Sequence, residues 1–112
     1  MPEPLAPAVR RACLTIIVPA SSEDHVVDWL MAYPEFPIEF SVNEVAMRGP
    51  SVHLSTGVEK VGGFARRSEV RLMVECARLE ALVAALRSLP DGVAGTYWVV
   101  PVTHCGTLGG LK

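Results

Sequence analysis

The chain has 112 residues, of which half are apolar, a fifth charged and 6% aromatic. That is one domain with a core of its own, and it is too apolar for a disordered protein. Ten basic residues against twelve acidic ones leave a formal net charge of −2, which argues against a general nucleic-acid or membrane-surface binder.

Met1 to Arg11 carries prolines at positions 2, 4 and 7 and no continuous apolar stretch. A secretory signal needs an uninterrupted apolar region, so residues 1–11 read as a tail ahead of a domain over 12–103, with a second tail over 104–112. No window approaches the ~18–20 apolar residues that span a bilayer. Cys13 to Val18 (CLTIIV) is apolar on both faces and ends at Pro19, the pattern of a central strand. Ser21 with Asp24 reads as a capping box, opening a helix whose apolar stripe is Val26, Val27, Leu30 and Met31 and which stops at Pro34.

Phe36, Ile38, Phe40 and Val42 alternate with Pro37, Glu39, Ser41 and Asn43, giving a second strand with one buried face. A third strand reads Val70, Leu72, Val74, Cys76, and a second helix carries Leu79, Leu82, Val83, Leu86 and Leu89 on one stripe, with Arg87 near its negative end. Pro90, Asp91 and Gly92 end that helix, and a last strand runs from about Thr96 to Val102. The order βαββαβ with right-handed crossovers predicts an α+β, ferredoxin-like domain: a four-stranded antiparallel sheet with two helices on one face.

Two features ask for more than a fold. Two helices leave the other sheet face bare, and Cys13, Thr15, Ile17, Met73, Tyr97, Val99 and Pro101 are expected there. A contiguous apolar patch of that kind marks an interface, so a homo-oligomer is expected. The second feature is the stretch 44–67, a long loop between strands two and three. Within it Ser55 is placed to cap a short helical turn over Gly57 to Val61, closed by Gly62 and Gly63. Arg66 and Arg67 stand at its root and offer planar donor forks to phosphate or carboxylate; Lys60 lies in the same segment. Solvated strand-end charge is the commoner reading of such residues.

Other chemistries fit poorly. An RNA-recognition module of this topology needs stacking aromatics, but after Gly63-Phe64-Ala65 come Arg66, Arg67, Ser68 and Glu69, and the first strand has no aromatic. No Gly-rich phosphate loop with a lysine joins a strand to a helix, and the histidines, cysteines and carboxylates form no catalytic cluster, so no enzyme is expected. His104-Cys105 and His53 carry ligands that copper and zinc prefer. Their spacing is not that of a structural zinc site, and neighbours on an extended backbone point apart. The three thiols, odd in number and widely spaced, fit a reduced cytoplasmic protein.

Tyr97-Trp98-Val99-Val100-Pro101-Val102 resembles the closing strand of PII signalling proteins, as does the long loop between strands two and three. Val52 to Arg71 (VHLSTGVEKVGGFARRSEVR), the Cys13–Pro19 opening and the Trp98–Val102 close together resemble an uncharacterised PII-like family whose members are often encoded beside heavy-metal cation efflux pumps. The resemblance implies a trimer with clefts between subunits, which hold adenine nucleotides in PII proteins, and a loop that reports the bound state to a membrane transporter or an enzyme. The PII turn before the last strand ends Gly-Lys; here Gly95 is followed by Thr96. The two arginines that follow the PII strand correspond to Thr107 and Gly109. Three lost cations remove charge-assisted contacts to a triphosphate. The effector expected at Arg66, Arg67, Lys60, Gly95 and Thr96 is therefore a more weakly bound nucleotide, another anion or a metal ion. The alternative is a metal-binding tolerance protein using His104, Cys105 and His53. No cofactor is specified.

Overall fold

The computed structural model describes residues 9–50, 52, 54, 57–89 and 93–109. Its strands are β1 (Arg11–Pro19), β2 (Phe40–Met47), β3 (Ala65–Glu75) and β4 (Thr96–Val102), and its helices α1 (Glu23–Met31), α2 (Gly57–Gly62) and α3 (Cys76–Leu86). The strands form one antiparallel sheet in the order β2-β3-β1-β4, the ferredoxin-like α+β arrangement that the sequence predicts.

β1 is an inner strand, paired with β3 on one side and β4 on the other. Leu14, Ile16 and Val18 from β1, Val70, Leu72 and Val74 from β3, Val26 and Leu30 from α1 and Leu82 from α3 make one core between the sheet and the helices. Fully burying a side chain such as Leu82 stabilises the fold by about 1.5–3 kcal/mol. Leu82 is buried at the middle of the predicted leucine stripe, with Leu79, Val83, Leu86 and Leu89 packed round the core's edge.

Local boundaries differ from the expectations for identifiable reasons. Ala20–Ser22 forms a 3-10 turn, and α1 is preceded by Ser22, with no side-chain cap bond. The expected Ser21 capping box is thus absent. Instead the buried Ser68 Oγ donates to Glu23 Oε1 at 2.7 Å, tying β3 to the first turn of α1. Met31 is exposed, because the helix turns its buried stripe through Val26 and Leu30. Cys76 opens α3 rather than ending β3, and its N–H donates to the Arg10 carbonyl at 2.8 Å.

The long loop is shorter than 44–67. β2 continues to Met47 and β3 begins at Ala65, since Glu44, Val45, Ala46 and Met47 pair with Ser68, Arg67, Arg66 and Ala65. Charged side chains at a strand end do not break backbone pairing, so Arg66 and Arg67 belong to β3. The expected short helix is present as α2. Ser55, Pro90, Asp91 and Gly92 lie outside the described residues, as do residues 1–8 of the expected 1–11 tail, whose last residue, Arg11, instead opens β1 and pairs with Glu75 and Val102.

Candidate functional site

Antiparallel pairing decides what each sheet face presents, since directly opposite residues share a face. Cys13, Thr15 and Ile17 oppose Val100, Trp98 and Thr96 across β4, and Met73, Arg71 and Glu69 across β3. The face away from the helices therefore has an apolar half, with Trp98 and Val100 beside β1, and a polar half, where Arg71 Nε lies 2.8 Å from Glu69 Oε1. Tyr97 and Val99 oppose Ile16 and Leu14 and, with Pro101, share the helix side. The expectation that they line the bare face is corrected. An all-apolar strand carries no periodicity from which its phase can be read.

β4 is nonetheless poorly covered on either side. Trp98 is 43% exposed, Val100 51% and Met73, from β3, 52%. Tyr97, on the helix side, keeps its ring near Arg87, whose Nη2 donates to Tyr97 Oη at 2.6 Å.

Where β1 ends and β4 begins, the bare face is indented. A cleft of about 490 Å³ is lined by Ile17, Met47, Val52, Arg67, Thr96 and Trp98, with Gly95 in its wall. The lining comes from the ends of all four strands and, through Val52, from the loop. Three residues singled out in sequence meet here: Arg67, Gly95 and Thr96. Arg67 supplies a guanidinium, Thr96 a hydroxyl, and Trp98 an aromatic surface. Such a set can hold a planar or anionic small molecule. Arg67 Nη1 also donates to the Arg66 carbonyl at 2.9 Å.

Gly95 has a reason for being glycine that is separate from binding. A Cβ there would collide with the Ile17 carbonyl oxygen and lie 2.9 Å from Val18 Cγ1. The chain enters β4 pressed against the β1 backbone.

Arg66 does not join Arg67. Neighbours on a strand point to opposite faces, and Arg66 lines a separate hollow with Glu44, Ala46 and Phe64 on the helix side. The two guanidiniums at the loop's root therefore do not form one fork. Lys60 is exposed in the last turn of α2. The loop's neck is tied by Arg48, whose Nη1 donates to the Gly62 carbonyl at 3.4 Å and whose guanidinium lies 5.0 Å above the Phe64 ring.

Of the expected metal ligands, His53 lies outside the described residues. His104 and Cys105 are exposed beyond β4, and Cys105 Sγ accepts from Arg11 Nη1 at 3.6 Å. Among the described residues no group of three His, Cys, Asp or Glu side chains is placed to share an ion, and no helix is long and apolar enough to cross a membrane.

Sequence reasoning missed a second concavity. Trp29, Tyr33 and Phe36 line a groove of about 770 Å³ against Arg78, Ala81 and Ala85 of α3. The available signal was the i, i+4 spacing of Trp29 and Tyr33, which reads equally well as core.

The family model described as Protein of unknown function (DUF3240) matches residues 8–109. A crystal structure of a DUF3240 family protein from Shewanella baltica OS155 superposes with a TM-score of 0.69 at 23% identity, covering 88% of this chain and 97% of that one. A Bacillus cereus protein related to NIF3 superposes at 0.54 and 11% identity, over 88% of this chain but 27% of that one. At these identities the likeness is one of fold. No curated protein matches the chain.

Proposed function

The chain belongs to DUF3240, a family of unknown function, and from that premise we propose a non-enzymatic regulatory protein of PII-like design. It binds a small anionic effector, a nucleotide in the first instance, in the Arg67–Thr96 cleft and signals through the adjoining loop. One observation carries the reading: Arg67, Gly95, Thr96 and Trp98 converge with Val52 of the loop in a single cleft. Val52 is the link that matters for signalling. An occupant resting against it changes the loop's free energy, and a ligand shifts a loop equilibrium only as far as its affinity differs between the loop's states.

The assembly that goes with this reading is a trimer in a reduced cytoplasm. Its support is β4, whose Trp98 and Val100 leave an apolar surface open of the kind that marks contacts between copies. Neighbouring copies would then wall in a cleft that is open in the single chain. The regulated partner, carried by the PII-like resemblance alone, is a membrane transporter of the heavy-metal efflux class.

Calorimetry of the purified protein tests this with ATP, ADP and AMP and, separately, with copper, zinc and cobalt salts. Saturable nucleotide binding that Arg67→Ala weakens at least tenfold, about 1.4 kcal/mol, is the expected result. No heat with any of these ligands removes the sensor reading. Metal binding that His104→Ala abolishes and Arg67→Ala leaves intact replaces it with the metal-tolerance reading.

A further inference from the structure

The groove between α1 and α3 lies on the opposite side of the molecule from the cleft. Its aromatic wall is continuous: the Trp29 and Tyr33 ring centres are 5.2 Å apart and tilted by 45°, and those of Tyr33 and Phe36 are 5.1 Å apart and close to edge-on. Arg78 closes one end, its guanidinium 4.7 Å above the Phe36 ring and its Nε 3.7 Å from Glu75 Oε2. Ala81 and Ala85 give the opposite wall no bulk. Adjacent aromatic rings facing small side chains are the chemistry that receives proline-rich segments, which arrive already extended and lose little entropy on docking.

The chain itself carries such a segment. The Arg10 carbonyl accepts from the N–H of Cys76, the first residue of α3, and the next two residues, Ala77 and Arg78, line the groove. Arg10 therefore stands beside the first turn of the helix that lines the groove. The proline-rich segment is Pro2-Glu3-Pro4-Leu5-Ala6-Pro7-Ala8, and the family match begins at residue 8, just past its prolines. Seven residues in a polyproline-II conformation reach about 22 Å at ~3.1 Å each. The groove along α3 from Ala77 to Ala85 needs about 12 Å at ~1.5 Å per helical residue. Glu3 carries the charge that Arg78 attracts.

We propose that the α1–α3 groove is a polyproline-II-binding groove and that its occupant is this chain's own Pro2–Pro7 segment. The tether makes the contact intramolecular, at an effective concentration in the millimolar range, so a weak groove is filled. In the filled state the segment shields the Trp29–Tyr33–Phe36 wall from other proline-rich chains. The inference stands apart from the nucleotide reading, since the two sites share no residue.

Nuclear magnetic resonance of the labelled protein tests it, comparing the full chain with a variant lacking residues 2–8 and with a Pro4→Ser/Pro7→Ser double variant. Both changes leave every residue of the core described above in place. The expected result is that the Trp29 indole N–H and the Ala81 and Ala85 methyl signals move in both variants. A synthetic peptide of residues 2–9 should return the deletion variant's signals toward their original positions, saturating at millimolar concentration. Three outcomes overturn the proposal: unchanged signals at these residues, a peptide without effect, or contacts that arise only between labelled and unlabelled copies in a mixed sample.

Discussion

Replacing Gly95 with alanine puts a methyl group against the backbone of β1. The new Cβ would overlap the Ile17 carbonyl oxygen and sit 2.9 Å from Val18 Cγ1, against ordinary carbon contacts of about 3.5–4.0 Å. Val18 is buried and Ile17 lies in the central strand, paired on both sides, so neither can retreat. β4 has to lift away from β1 at its first residues. Overpacking of this kind costs about 1–3 kcal/mol, and an obstruction made of backbone belongs in the upper half of that range. At ~4–8 °C per kcal/mol for a domain somewhat smaller than this one, a cost of about 2 kcal/mol lowers Tm by roughly 10 °C. Thermal and urea unfolding at one fixed protein concentration measure it, with Gly106→Ala, which meets nothing within 4 Å, as the control. A Gly95→Ala protein as stable as the Gly106→Ala control would refute the reasoning and return Gly95 to a purely ligand-binding role.

Two further outcomes follow from the same geometry. Ser68→Ala removes the 2.7 Å bond to Glu23 and should cost about 1–2 kcal/mol, as befits a hydrogen bond to a charged group that water still partly reaches; adding Glu23→Ala should then cost less than it does alone, a shortfall that a double-mutant cycle in urea detects. Trp98→Asp charges the bare face without touching the core. Light scattering should show the proposed trimer falling to monomers while circular dichroism stays unchanged, and an unaltered mass would remove β4 from the proposed interface.

The fold was legible wherever a run of residues carried a clear pattern. β1 follows from its unbroken apolar run, the second half of β3 from its alternation, the leucine stripe of α3 from its helical spacing and α2 from its bounding glycines. Three things were hidden, each for a physical reason. β4 is apolar at nearly every position, so only its pairing with β1 reveals that Trp98, not Tyr97, faces away from the helices. Arg66 and Arg67 look like one anion site in a linear reading, but a pleated strand sends them to opposite layers. The aromatic groove was hidden because Trp29, Tyr33 and Phe36 bury one side against the core while the other lines the surface; spacing alone does not separate those roles. Arg67, Gly95 and Thr96 were individually visible. Only the family resemblance put them in one effector site; the residues alone do not show the meeting, because it depends on β1 bringing the start of β4 beside the start of β3.

Arg48 has a mechanical consequence. Its guanidinium grips Gly62 and Phe64 from the far side of the loop, so the excursion between β2 and β3 is a hoop cinched at its base, not a strap anchored at two independent points. A tug at the crown of a cinched hoop reaches both rims together. One rim is Met47, which stands in the wall beside Thr96 and Trp98; the other is Ala65, two residues from Arg67. In the proposed sensor a load on the loop would thus reach the cleft through both rims, and Arg48→Ala, which removes the cinch, would uncouple them.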